Sequence, residues 1–396
     1  MVAYQDVAVL ASSSDSEERC RAAHYAALCY LQHDGSPEEH AAYYGTLVGF
    51  LDDPSVKVRA ALAYGLLQSP HAPRPVILAL LADSPVIARA VAQYSPALIE
   101  ADLLPLVADA APPMLLAIAQ RRGLSARLAA ALLARNLREV QLTIVRRPEV
   151  ELAPEVQHRV AEQAGDSPEV RGALLRRRDL PPHTRLMLVQ QVTTALRGNR
   201  MIKGALHDGR LDRLFRSTED EAVAIIGERA AAGSDKDYAS TLVASERLST
   251  RLLLHALVSG QVLFMADCLA ELASTPRQKV ITILESGGRP AMAALFASCG
   301  IPVAVRGVLV RLIQHARSVD LADDIAARHY VITVTIEELI AEYDADIPTE
   351  LAEVFAYLNE QNIRLAREAA RGVTSALAAG QGVGDVMAEQ RMLPAA

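Results

Sequence analysis

The sequence predicts an all-α chain built as an irregular α-solenoid, a superhelix of stacked antiparallel helix pairs. Three observations predict it. Ala and Leu, both strong helix formers, carry much of an apolar fraction of 51%, while aromatics supply only 4% and Trp is absent. An oxygen-bearing residue followed by proline recurs at Ser36-Pro37, Asp53-Pro54, Ser84-Pro85, Ser167-Pro168 and Thr275-Pro276, each ahead of an apolar stretch. Such an oxygen accepts an orphan amide of the first helical turn, and proline suits the first helical position because it has no amide to leave unsatisfied. Finally, the second helices of successive pairs start roughly 26–30 residues apart, a solenoid-range period.

The clearest pair runs from Ser36 to Leu67. Ser36 and Glu39 read as a capping box opening the first helix, and Asp53-Pro54 opens the second. Val56, Ala60, Ala63 and Leu67 then recur at helical spacing as one buried stripe. The next pairs are expected over 75–82 and 85–94, 103–108 and 112–121, 124–135 and 137–147, and 154–164 and 168–177. An Arg follows the acidic start of several second helices by about one and a half turns: Arg59 after Asp53, Arg89 after Asp83, Arg171 after Asp166. With Leu51-Asp-Asp-Pro-Ser-Val-Lys-Val-Arg59 as its clearest instance, this pattern resembles the HEAT-repeat class of α-solenoids. The period is shorter than in that class, and Pro112-Pro113 and Asn136 stand where cleaner caps are expected.

Pro181-Pro182 is a natural break. Further helices are expected over 183–197, 218–231, 238–258, 261–273, 276–285, 289–298, 302–317, 320–328, 336–343 and 349–371. Thr275 to Gln278 and Thr335 to Glu338 read as capping boxes, and the β-branched run Val331 to Thr335 reads as a short extended connector. From Gly372 on the chain is expected to fray. The resulting organisation is an N-terminal repeat array over 1–180, a second helical-repeat segment over 181–345, and a capping helix with a tail over 346–396. The last helix places Leu351, Val354, Phe355, Leu358 and Leu365 on one apolar side, as a cover for an open array end requires.

Residues 251–300 carry a second resemblance. Leu252-Leu-Leu-His-Ala-Leu-Val-Ser-Gly260, Phe264, Leu269-Ala-Glu-Leu-Ala273, Gly287-Gly288 and Ala291 to Phe296 occur in an order similar to an uncharacterised bacterial family, a domain of unknown function with helical repeats. The resemblance extends over most of the chain. It implies an all-α solenoid and assigns no catalytic residue.

Arginine is the most distinctive charge feature. Thirteen arginines against eight acidic residues make the segment from Arg121 to Arg185 net basic by about five, in a chain whose formal charge is -7. Aligned repeats would gather some of them into a positive stripe. Arg121, Arg122, Arg135, Arg138, Arg146, Arg147, Arg176, Arg177 and Arg178 are the candidate partner-binding residues, for an acidic or phosphorylated protein segment. The competing reading is inter-repeat ion pairing and complementation of helix C-termini. Nucleic acid is disfavoured because the segment contains no Phe, Tyr or Trp to stack bases. Tyr25, Tyr30, Tyr43, Tyr44 and Tyr64 cluster near the N-terminus and are expected to fill core.

No phosphate loop, dinucleotide fingerprint, nucleophile elbow or zincin motif occurs. Asp53, Asp83 and Asp166 are expected to be helix-start residues, and Asp52-Asp53 and Glu38-Glu39 cap helices better than they perform acid–base chemistry. Cys20-x-x-x-His24 and Cys29-x-x-x-His33 look like two metal half-sites, yet positions 20 and 29 lie about 180° apart around one helix, so no metal or other cofactor is expected. His207-Asp208 precedes a glycine and has no nucleophile beside it in sequence. The four cysteines have no disulfide-framework spacing, no segment is apolar enough to span a bilayer, and no basic n-region precedes Asp6, so the expected location is cytoplasmic. The expected function is a non-enzymatic protein–protein interaction scaffold. The alternative is nucleic-acid binding or DNA-base repair on a HEAT-like frame, as in the alkylpurine glycosylases built on such repeats.

Overall fold

The structure, a computed structural model, describes residues 4–164, 167–201, 207–233, 237–319, 321 and 325–378. The described residues are helical or in turns, with no strand. The chain divides into two compact units, Met1–Thr184 and Arg185–Ala396.

The first unit contains α1 (Tyr4–Ala11), α2 (Ser16–Leu31), α3 (Pro37–Leu51), α4 (Val56–Leu66), α5 (Arg74–Leu81) and α6 (Pro85–Tyr94). It continues with α7 (Glu100–Asp109), α8 (Pro112–Ala119), α9 (Ala126–Ala134), α10 (Arg138–Val145), α11 (Pro154–Gln163) and α12 (Pro168–Leu175). Helix α13 (Pro182–Gly198) crosses the division. The even-numbered helices pack in series, α2 on α4, α4 on α6, α6 on α8, α8 on α10 and α10 on α12. Among the odd ones α1 packs on α3, α3 on α5, α7 on α9 and α9 on α11. Helices of eight to eleven residues are too short to persist alone. Their stability comes from buried stripes such as Val58, Leu62, Ala63 and Leu66 on α4, or Leu128, Ala129, Leu132 and Leu133 on α9.

The predicted starts are largely correct, but the oxygen-proline caps work differently. Ser36 does cap α3, its hydroxyl accepting from the Glu39 amide at 3.2 Å. Asp53 and Asp83 do not cap the helices that follow; Ser55 and Ser84 hold the cap positions. Each carboxylate accepts a single turn amide, from Ser55 and Ser84 respectively, and otherwise receives an arginine from the preceding even helix. Arg19 Nε donates to Asp53 at 2.7 Å and Arg59 Nε to Asp83 at 2.6 Å, and Arg59 Nη1 also donates to the Asp53 carbonyl. A guanidinium is a stronger partner for a carboxylate than one backbone amide, and it holds both carboxyls below their usual range. The series stops at Arg89, whose Nε turns to the Pro85 carbonyl. Asp166 lies outside the described residues. Asn136 has a purpose the sequence reading lacked: with φ 51° it supplies the left-handed turn that ends α9.

The second unit contains α14 (Asp208–Ala232), α15 (Asp237–Ala244), α16 (Thr250–Val258), α17 (Val262–Leu272), α18 (Arg277–Ser286) and α19 (Arg289–Ser298). Then come α20 (Val303–Ala316), α21 (Ile325–Glu342), a 3-10 turn at Thr349–Leu351 and α22 (Ala352–Ala378). Helix α17 is its centre and packs on α14, α15, α16, α18 and α19. Glu228 of α14 caps α17 from outside, accepting the Phe264 amide at 2.8 Å. Gly227, beside it, packs so closely that an added Cβ would overlap the Phe264 ring.

Several expectations change here. Residues 238–258 form two helices, because Glu246 turns left-handed at φ 55° and Ser249 caps a new start by accepting from Leu252 N. Val331 to Thr335 is helical inside α21, not an extended connector. Its Val331, Ile332, Thr335, Ile336 and Leu339 line one buried face, and that packing outweighs the β-branched preference for strand. Thr335 is therefore mid-helix and donates to the Val331 carbonyl, and Thr275 precedes a cap position held by Pro276. His207-Asp208 opens α14, and α22 runs on to Ala378 before residues 379–396, which lie outside the described set. Of the apolar side expected for the last helix, Leu351, Val354, Leu358 and Leu365 are buried, joined by Tyr357 and Gln361, and Phe355 is partly buried.

Candidate functional site

The candidate arginines divide into two groups. Arg121, Arg135, Arg147 and Arg177 each end a helix and reach back to the C-terminal carbonyls of the helix two places earlier. Arg121 donates to the Ala92 and Ser95 carbonyls beyond α6. Arg135 reaches Val107 and Ala108 in α7, and Arg147 reaches Ala119 at the end of α8. Arg177 donates to the carbonyls of Arg147 and Val150 at 3.0 and 2.9 Å, just past α10, while Asp179 accepts from its Nε and Nη2. A cation there satisfies carbonyls that have no intrahelical partner and meets the negative end of the helix dipole. Burial lowers the proton affinity of the Arg121 guanidinium. The second unit repeats the device: Arg317, after α20, donates to Leu284 at 2.7 Å and Ile283 at 2.9 Å in α18.

The remaining candidates face solvent. Arg138 pairs with Glu169 at 2.5 Å, and Arg122, Arg146, Arg176 and Arg178 are exposed with no ion pair among the described residues. Alternation explains the split. In Arg121-Arg122, Arg146-Arg147 and Arg176-Arg177-Arg178, one residue of each run turns inward at a helix end and its neighbours turn out.

Next to this segment α6 and α8 form two adjoining depressions of about 340 and 320 Å³ that share Gln93, Tyr94 and Gln120. Gln68 and Arg122 border the first, and Val86, Arg89 and Leu116 the second. Among the described residues no carboxylate lines either one. Tyr94 is half exposed, and Val86 is 65% exposed. The Gln93 side-chain nitrogen donates to the Gln120 side-chain oxygen at 3.0 Å, which leaves the Gln93 oxygen and the Gln120 nitrogen directed to other partners. Sequence reasoning missed Gln93, Tyr94 and Gln120. Their only signal was polar and aromatic side chains at corresponding ends of successive even helices.

The N-terminal tyrosines also correct an expectation. Tyr43 is buried and stacks edge-on with Tyr4, but Tyr64 is 74% exposed with His24 beside it, and Tyr25 is exposed too. Tyr64 points away from the α4 face that carries Leu62, Ala63 and Leu66. The two Cys-His pairs stay separate. His24 lies against Tyr64, while the His33 ring stacks on His40 and meets the Ser36 carbonyl. Among the described residues no group of three or more His, Cys, Asp or Glu side chains is arranged to hold a metal.

A buried polar cluster lies in the second unit. His255 Nδ1 contacts the Tyr357 hydroxyl at 3.0 Å, and Ser259 Oγ lies 3.4 Å from His255 Nε2. Arg251 sits over the Tyr357 ring and pairs with Asp220 at 2.8 Å. Burial, reinforced by nearby arginines, lowers the His255 pKa to about 4. Ser259 and His255 are both buried, so the pair is internal structure without access for a substrate.

Helical packing throughout, and arginines that close helix ends, define an all-α protein whose basic segment is in part internal wiring. Residues 87–330 match a family described as an uncharacterised protein conserved in bacteria, DUF2336, and the chain belongs to it. No curated protein and no solved structure matches the chain. Among the described residues no helix is long and apolar enough to cross a membrane.

Proposed function

We propose that this chain is a non-enzymatic protein-interaction scaffold, an irregular HEAT-like α-solenoid that holds a partner protein on the face of its even helices. The serial packing of α2, α4, α6, α8, α10 and α12 supports the solenoid reading. Arg19–Asp53 and Arg59–Asp83, which tie one pair to the next, support it too. Arrays of this kind bury their core between neighbours and leave an extended face for binding.

The observation that carries the proposal is the α6–α8 depression, where Tyr94, Gln93, Gln120 and Arg122 converge on solvent while the arginines beside them close helix ends. A half-exposed tyrosine flanked by hydrogen-bonding amides is the composition favoured at interface anchors. Co-purification of the tagged full chain from its native cell, with identification of the bound species, tests the proposal. A mobility-shift assay at low salt accompanies it. The expected outcome is a protein partner and no shift of DNA or RNA. Salt-sensitive nucleic-acid binding with no protein partner would overturn it.

A further inference from the structure

We infer that the α6–α8 groove binds an extended acidic peptide segment of the partner protein, an assignment that rests on the scaffold reading and names its site and ligand. Charge supports it first. Among the described residues Arg89 and Arg122 stand at the two depressions without an ion pair, Arg89 Nε donating to the Pro85 carbonyl, and no carboxylate lines either one. In a chain of formal charge -7, a groove bordered by two such guanidiniums selects for carboxylates.

Hydrogen-bonding chemistry supports it second. A glutamine amide carries the same donor and acceptor as a peptide unit. The Gln93–Gln120 bond fixes both side chains and presents one acceptor and one set of donors to the groove, and Gln68 is exposed beside them. That array suits an extended backbone, whose own amides are unpaired, better than a helix, whose amides are already satisfied. Tyr94 and Val86 supply apolar surface for one side chain of the ligand. Nucleic acid fits less well, since this groove offers a single aromatic ring for stacking.

Fluorescence anisotropy of the full chain with a fluorescein-labelled, proline-containing peptide of about twelve residues rich in Glu tests the assignment, with Gln-rich and Lys-rich peptides and an oligothymidylate of equal length alongside. Saturable binding of the Glu peptide alone is expected. The double variant Arg89→Glu with Arg122→Glu should weaken it about tenfold or more, Tyr94→Ala should also weaken it, and Arg176→Glu with Arg178→Glu should leave it unchanged. Equal loss from the Arg176 and Arg178 pair, preferred binding of the oligothymidylate, or no binding of the Glu peptide would overturn it. Unchanged thermal melts show that the variants fold.

Photo-crosslinking in the native cell separates the groove assignment from the scaffold reading. Benzoylphenylalanine at position 94 is expected to cross-link an acidic stretch of a partner protein. Cross-links to a protein only from position 64, on α4 of the same face, would overturn the groove assignment and leave the scaffold reading standing. No protein cross-link from either position would overturn both.

Discussion

Arg59 Nε and the Asp83 carboxylate meet at 2.6 Å between α4 and the turn before α6, with both side chains largely shielded from water. Asp83→Ala leaves the guanidinium facing a turn with only the Asp53 carbonyl as partner. Urea unfolding should then show a loss of about 1–3 kcal/mol. Because the Arg59 hydrogen bond lowers the Asp83 pKa, this contribution is complete above the ordinary carboxylate range and is lost as pH falls through the lower folded value. A double-mutant cycle with Arg59→Ala should return a favourable coupling, and a zero coupling would deny the link between the pairs.

Arg177 and Arg178 are neighbours with opposite surroundings. Arg177→Ala removes the donors to the Arg147 and Val150 carbonyls and should cost about 3 kcal/mol, whereas Arg178→Ala and Arg176→Ala should stay within about 0.5 kcal/mol of the parent. Comparable melts for all three would show that the inward arginine contributes nothing special.

His255 is neutral in the fold and has a pKa near 4, below its ordinary value of 6.5. The unfolded chain therefore binds an additional proton between those values, and stability should fall as pH drops from about 6.5 toward 4. The full difference is about 3 kcal/mol. His255→Gln should flatten that part of the pH profile measured by thermal melting. An unchanged slope would assign the acid sensitivity to other groups.

Gly227→Ala places a methyl group against the Phe264 ring at the centre of the second unit. Overpacking there should cost about 1–3 kcal/mol, with partial recovery on adding Phe264→Leu. Gly49→Ala in α3, where an added Cβ meets nothing, should be neutral or slightly stabilising in the same melts.

The all-α class and most helix positions were legible because apolar periodicity is local. Pro85–Tyr94 and Arg289–Ser298 fall where their patterns place them. Failures came where distant neighbours decide. Val331 to Thr335 is β-branched by composition, yet α20 and α22 supply the packing that keeps it helical. Asp53 and Asp83 look like caps until the arginines of the preceding helices are seen to take them. The candidate site was legible only as a region. Composition marked the arginine-rich segment, but whether Arg121 or Arg122 faces water depends on which carbonyls lie two helices back.

That backward reach orders events during synthesis. The carbonyl of Ala92 leaves the ribosome 29 residues ahead of the Arg121 that completes it. At ~5–20 residues per second, the end of α6 waits about 1.5–6 s for its partner. Each newly made pair thus matures only when its successor emerges, so the growing chain carries an unfinished edge that advances toward the C-terminus. A stop codon just before Arg121 would leave that edge permanently open, and with it a nascent species suited to capture by chaperones.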